Sequence, residues 1–502
     1  MNMTTTPYRW IWLLPVMLLW SWPAHATDLY RQLCAQCHHP DRLGAMGPAL
    51  LPENLERFSK KAAAEVIATG RPATQMPGFS DKLTEDEIQS LVNFIYSPRV
   101  PAPTWDEAAI HDSRIVHRAN DTLPEKPVHK SDIMNLFMVV ELGDHHVTVF
   151  DGDRLEPIYR FPSRFALHGG IKYSPDGRFA YMASRDGWIS RFDLYSLNMT
   201  AEVRVAVNTR NVAVSGDGRY VLAANTLPRT LVILDATDLS LVKTIPVVNA
   251  KGESARPSAV YAAPPRHSFI VALKDIAEVW EIPVPQDEKS TEDPPFSVRT
   301  IAVDAVLDDF LFNQEYTQLI GASRSAPAGQ VIDLNAGRKM ADIAIPGMPH
   351  LSSGITWPYQ DTVVMATPNI KEGEVTVVDM QSWKTIKRIP TLGPGFFMRS
   401  HENSPYAWVD VFSSASKDSV HVIDKATLEI HKTLQPAPGK TAAHVEFTKD
   451  GRYALLSIWE MDGALVIYDA KSLEEVKRIP MKKPSGKYNV SNKINRSAGT
   501  SH

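Results

Sequence analysis

Cys34 and Cys37 are the only cysteines of this chain, and they stand in the run Cys34-Ala-Gln-Cys-His38. Cys-x-x-Cys-His is the signature of covalent c-type haem attachment. Two thiols add across the vinyl groups, and the adjacent imidazole of His38 then reaches the iron from one face. A disulfide is the alternative use of two cysteines in an exported chain, but a two-residue gap followed at once by histidine points to haem. A soft thioether is a usual opposite ligand. Met76, in Thr74-Gln-Met-Pro-Gly-Phe79, is the first candidate, and Met46 competes with it. Three further histidines stand in strand-like surroundings: His168 directly before Gly169 and Gly170, His350 after Pro349, and His444 in Ala443-His-Val-Glu-Phe447. An imidazole can ligate a metal or act as a general base, so each is either a site residue or core filler.

The elements that position these groups fall into two kinds. Thr27 to Gln36 reads as a short helix bearing Leu29, Tyr30 and Leu33. A second helix, Leu83 to Tyr96, is capped around Thr84-Glu-Asp-Glu87 and shows Ile88, Leu91, Val92 and Ile95 on one face. Gly47-Pro48 stands where the small cytochromes that this segment resembles let a backbone carbonyl orient the ligand imidazole. Residues 27–99 resemble a small class I cytochrome c domain. Before it, Arg9, an apolar run of about a dozen residues and Pro23-Ala24-His25-Ala26 read as an export signal over 1–26, which implies a periplasmic mature protein; an uncleaved anchor is the alternative. After it, 100–130 reads as a Pro-rich linker whose His111, His117 and His129 are solvated.

From 131 to 490 the chain repeats. Mostly hydrophobic triplets ending in aspartate recur at Val149-Phe-Asp151, Arg191-Phe-Asp193, Ile233-Leu-Asp235, Val331-Ile-Asp333, Val377-Val-Asp379, Val422-Ile-Asp424 and Ile467-Tyr-Asp469, and Trp280-Glu-Ile282 fills the vacant place. The spacing is that of four-stranded propeller blades. Ser174-Pro-Asp-Gly-Arg178, Ser215-Gly-Asp-Gly-Arg219 and Thr448-Lys-Asp-Gly-Arg452 supply tight hairpin turns; Ile-Pro at 245–246, 389–390 and 479–480 closes blades. The expected fold is mainly β with a small α domain: a cytochrome c domain followed by an eight-bladed β-propeller, with 491–502 as a tail. Seven blades result if Trp280-Glu-Ile282 is not a true blade. The triplet aspartates read as turn residues without chemistry. His168 falls between two blades, before an innermost strand, and its two glycines leave room for a large flat ligand. Composition is globular, 44% hydrophobic and 22% charged, and a net charge of −4 argues against nucleic acid.

A c-type haem domain fused to an eight-bladed propeller resembles the cytochrome cd1 family, whose propeller holds haem d1 without a covalent bond. Leu167-His-Gly-Gly-Ile-Lys-Tyr-Ser-Pro-Asp-Gly-Arg178 resembles the family segment with the proximal haem d1 histidine, here His168. Asn208-Thr-Arg-Asn211 and, more weakly, Ser254-Ala-Arg256 resemble segments whose arginines face the macrocycle. Those are Arg210 and Arg256; Arg164 is a third candidate clamp for carboxylates. Lys483-Pro-Ser-Gly-Lys-Tyr-Asn489 resembles the closing segment that hydrogen-bonds a haem d1 carboxylate, through Ser485 and Tyr488. His350 takes the place of one distal histidine of the nitrite reductases. The other place falls on Asp308, and His444 is new.

These departures resemble the branch of the family that makes haem d1 by dehydrogenating its dihydro precursor. That resemblance implies an oxidoreductase that turns a propionate into an acrylate and sends electrons out through the c haem to an acceptor. His350, Asp308 and Asp309 are the candidate bases, with Glu446 and Tyr488 weaker, and His168 and His444 the candidate ligands of the ring iron. The implied partners are the tetrapyrrole, the electron acceptor and a nitrite reductase or another maturation protein. A cytochrome cd1-type nitrite reductase and a haem d1 carrier or electron-transfer protein are the alternatives.

Overall fold

The computed structural model describes residues 22–495 apart from 46, 56–57, 71–75, 168, 287–294, 324–325, 327, 346 and 413. Residues 1–21 of the expected leader therefore lie outside it, as do Met46 and His168. The first helix, Trp22–Leu33, begins five residues before the expected start and breaks at Cys34, after which Ala35–His38 resumes. The helix Glu85–Ile95 has the expected capping box: the Thr84 amide donates to Glu87 Oε2 at 2.8 Å, and the Glu87 amide donates to Thr84 Oγ1 at 3.3 Å. Its buried face of Ile88, Leu91, Val92 and Ile95 packs with Tyr30, Ala63, Ile67 and Phe79 in one apolar cluster.

The rest of the chain forms eight antiparallel sheets, seven of four strands and one of five. Each expected triplet lies on the third strand counted from the channel; Trp280-Glu-Ile282 does too, on Glu278–Pro283 paired with Ser268–Leu273. Eight blades are thus present. The second and third strands are buried on both faces, as in Leu136–Glu141, whereas outer strands such as Arg338–Ile343 alternate with solvent. The ring closes where the last strand, Pro484–Asn489, becomes the innermost strand of the first blade by pairing with Leu136–Glu141. That pairing hides two strand edges that would otherwise be exposed.

The triplet aspartates are turn residues, as expected. Asp151, Asp333, Asp379, Asp424 and Asp469 each accept the amides of the second and third residues beyond them. The residue four positions on then takes a left-handed φ, at Leu155, Gly337, Trp383, Leu428 and Leu473. The side-chain bonds hold a conformation that leucine and tryptophan disfavour.

Residues 100–130 are a packed strap rather than a free tether. Trp105 Nε1 donates to Arg204 O at 2.8 Å. The helix Glu107–Ser113 follows, and Ile115–Val116 pairs with Asn198–Arg204 to make the fifth strand of its blade. His117 contacts Glu202 at 3.0 Å and His129 Nε2 donates to Leu194 O at 2.9 Å, while His111 is exposed. The helical unit rests on the propeller through the same region. Arg204 Nη2 donates to Leu43 O at 2.6 Å, its guanidinium lies 4.6 Å from the Trp105 ring, and Ala49 and Leu51 bury against Val207. Among the described residues no helix is long and apolar enough to cross a membrane.

Candidate functional site

In the helical unit, the unpaired thiols Cys34, at the helix break, and Cys37, within the next helix, are followed by His38. The His38 Nδ1–H donates to Pro48 O at 2.8 Å, which leaves Nε2 with the lone pair. Glycine is needed at 47, because an added Cβ would lie 2.6 Å from His38 Cε1. Burial pushes the His38 imidazole below its ordinary pKa and the Cys34 thiol up to about 11. Met76 belongs to the same apolar cluster as Leu33, Cys34 and Phe79. Two thiols, a neutral buried imidazole held by a carbonyl and a thioether in one apolar unit fit a c-type haem.

The second site lies where the innermost strands converge. His168 is outside the described residues, but its neighbours place the loop. Gly169 and Gly170 have φ values of 82° and 77°. A Cβ on Gly169 would collide with Asn211 Cβ, and one on Gly170 would lie 3.2 Å from the Tyr488 ring. The first glycine thus serves the loop's own packing on Asn208–Val214, and the second leaves room beside Tyr488. Leu167, Gly170, Ile171, Ser485, Tyr488 and Val140 line a cavity here. Ser485 Oγ donates to Val140 O at 3.2 Å.

His444 is on the innermost strand Ala442–Phe447, at a register shift between Ala443 and Val445 and with a φ of 58°. The bulge turns its side chain out of the strand's alternation. Its ring centroid lies 4.7 Å from Phe397 and 5.5 Å from Tyr488. Its amide donates to Asp410 Oδ2 at 3.1 Å, and its carbonyl accepts from Lys487 Nζ. Burial, then the neighbouring Lys487 and Arg399 charges, keep the imidazole neutral well below its ordinary pKa, with a lone pair to offer.

His350 caps the short turn Leu351–Ser353. Its Nδ1–H donates to Phe396 O at 2.6 Å, and its ring lies tilted against Phe396 with centroids 3.7 Å apart. Nε2 faces Ser352 Oγ at 3.2 Å and Asp309 Oδ2 at 4.0 Å. Phe396 and Phe397, with centroids 4.7 Å apart, join His350 to His444 in one aromatic arc. Asp309 Oδ2 accepts the Ser352 amide at 2.7 Å, and its other oxygen is 3.5 Å from Tyr261 Oη. Asp308 is buried beside it and donates its amide to Ala322 O.

The arginines divide. Arg210 Nε donates to Ser258 O at 2.8 Å on the innermost strand Asn208–Val214. Arg164 makes a two-pronged pair with Glu202 at 2.8 Å and lies 3.7 Å over the Trp188 ring; Arg256 is paired with Asp275. Those two are committed to protein carboxylates.

Sequence reasoning named Glu446 but missed the cations that share the inside of the ring with it. Lys487 is wholly buried, and burial pushes its ammonium down to about 7. Lys172 falls to about 8 for the same reason, aided by Arg399, and its Nζ lies 5.3 Å from the Tyr261 ring centre. Arg399 is 3.4 Å from Glu446, whose other oxygen accepts from Asn492. Charged residues on innermost strands that should read apolar were the available signal. Stacked aromatics, a neutral imidazole and several cations suit a flat, metal-bearing ring with carboxylate side chains.

Two family models match the chain: the Cytochrome D1 heme domain over residues 131–493, and Cytochrome C oxidase, cbb3-type, subunit III over residues 23–95. A dihydro-heme d1 dehydrogenase of Pseudomonas aeruginosa is 56% identical over 95% of this chain and 96% of its own length. Protein NirF of the same organism is 26% identical over 70% of this chain and 90% of its own. A solved structure described as dihydro-heme d1 dehydrogenase NirN in complex with DHE superposes with a TM-score of 0.89 at 55% identity. It covers 94% of this chain and 100% of that one.

Proposed function

The chain belongs to the cytochrome D1 heme-domain family, and on that premise we propose that it is the oxidoreductase that converts the dihydro precursor of haem d1 into haem d1. The full-length correspondence with a dihydro-heme d1 dehydrogenase, across both the haem c unit and the propeller, carries this reading. A propionate side chain, –CH2–CH2–COO⁻, becomes an acrylate, –CH=CH–COO⁻, and two electrons and two protons leave. His350 is the proposed base. Its Nδ1–H is held by Phe396 O, so Nε2 carries the lone pair and can pass a captured proton to Ser352 Oγ. Asp309 holds the Ser352 amide and thereby the turn that presents His350, and Asp308 stands next to it.

His168 and His444 would ligate the substrate's iron. Arg210, Ser485 and Tyr488 would hold its carboxylates, and Arg164 and Arg256 would join them by giving up Glu202 and Asp275. Cys34, Cys37, His38 and Met76 would hold the c haem, which takes electrons one at a time and passes them to an acceptor. We place the mature protein in the periplasm after loss of residues 1–26, working beside a nitrite reductase or another maturation protein.

The test is anaerobic: mix the purified chain with the dihydro precursor and an electron acceptor, and follow the absorption of the extended conjugation. Conversion is expected. Unchanged precursor combined with steady nitrite turnover would replace this reading with that of a nitrite reductase, and release of unaltered tetrapyrrole would replace it with that of a carrier.

A further inference from the structure

One buried carboxylate connects the two histidines of this pocket. Asp410 ends the strand Tyr406–Asp410 and is wholly buried. Its Oδ1 accepts the amides of Phe396 at 2.9 Å and Phe397 at 3.2 Å; its Oδ2 accepts the His444 amide at 3.1 Å. Phe396 in turn holds His350 by its carbonyl and its ring. The left-handed bulge takes the His444 amide out of the ordinary ladder, so a side-chain acceptor is needed there. Three amides on two oxygens demand an acceptor-only group, which among side chains of this size only aspartate supplies. Gly395 lets the loop approach, since a Cβ there would collide with the Asp410 carbonyl.

We propose that Asp410 is the positioning residue that fixes His350 and His444 relative to each other. It acts through the backbone that carries the two histidines. The assignment of chemistry to the two histidines rests on the function proposed above, whereas the coupling itself is a property of the chain.

Asp410→Asn keeps the volume and leaves one acceptor oxygen. Its amide nitrogen must then face either His444 N–H or the two phenylalanine amides, and one arm is lost. The test is amide hydrogen exchange by mass spectrometry on the full-length, haem c-loaded protein without tetrapyrrole, together with the affinity for the dihydro precursor. Exchange over 442–446 or over 394–398 should accelerate at least about tenfold, and precursor should bind about tenfold more weakly with an altered iron spectrum. Gly395→Ala, which shifts only the loop, should accelerate 394–398 and leave 442–446 unchanged. Unchanged exchange over both segments in Asp410→Asn would overturn the proposal. So would faster exchange with unaltered precursor affinity and spectrum, the mark of a merely structural cap. If wild-type protein binds precursor without converting it, the dehydrogenase reading fails while the exchange results still judge the coupling.

Discussion

Replacing Lys487 by methionine should make the protein more stable at neutral pH and poorer at holding its substrate. The ammonium is enclosed on the innermost strand Pro484–Asn489, and burial pulls it from 10.5 to about 7 despite the attraction of Glu446 and Asp410. The unfolded chain keeps this proton up to about 10.5, whereas the folded chain gives it up near 7. That gap corresponds to about 5 kcal/mol, of which about 4 kcal/mol still acts at pH 7, where the folded lysine is half protonated. The penalty is complete below pH 7 and fades as pH climbs to 10.5, so this residue makes stability rise with pH across that window. Methionine removes it but leaves the His444 carbonyl without the Lys487 donor, a loss of about 1–3 kcal/mol. The net expectation is a gain of about 2 kcal/mol at pH 7 and a stability–pH slope flattened by about 1.4 kcal/mol per pH unit between 8 and 10. Urea titrations followed by tryptophan fluorescence at pH 7 and 9 measure both. Freed from Lys487, the His444 peptide should also hold precursor about tenfold less tightly. A variant that is less stable at pH 7, with the wild-type slope, would refute the reasoning; the lysine would then be a well-compensated cation.

His350→Ala should bind precursor nearly as wild type but convert it about 100- to 10,000-fold more slowly, as single-turnover absorbance would show; equal rates would remove His350 as the base. Gly47→Ala should drive the His38 ring off Pro48 O, cost about 1–3 kcal/mol in the helical unit and raise the midpoint potential of the c haem, because the ligand loses basicity. Potentiometry checks the direction. Arg204→Ala should release the haem c unit from the propeller, visible as faster proteolysis within 100–106 and slower reduction of the c haem by bound precursor, with precursor affinity unchanged.

The fold was legible because propeller blades write themselves locally. Aspartate at the end of the third strand, Asp-Gly in the first hairpin and Ile-Pro on the outer strand each follow from turn geometry over a few residues. The cytochrome c unit was legible for the same reason: Cys34, Cys37 and His38 fall within five residues, and Pro48, whose carbonyl accepts from His38, lies ten residues on. The channel was read only in part. Asp410, Phe396 and His444 meet across two blades, and nothing at any one position signals that meeting. Glu446 was legible as a weak candidate base, but the burial of Lys487 beside it depends on ring closure, which no local pattern signals. The left-handed backbone of His444 contradicts strand propensity and is held by Asp410 and Lys487 together. The segment 100–130 misled for a complementary reason: its prolines bar regular structure only where they stand, and between them the helix Glu107–Ser113 buries Ile110 while Trp105 packs partly buried beside it.

The most direct measurement mixes oxidised protein with a limiting amount of dihydro precursor in a stopped-flow cell, without air or external acceptor, and records the haem c and tetrapyrrole bands together. Two c haems should be reduced for each precursor consumed, with the first appearing at the rate of precursor loss. Precursor conversion while the c haem stays oxidised, or haem c reduction with no new double bond, would contradict it.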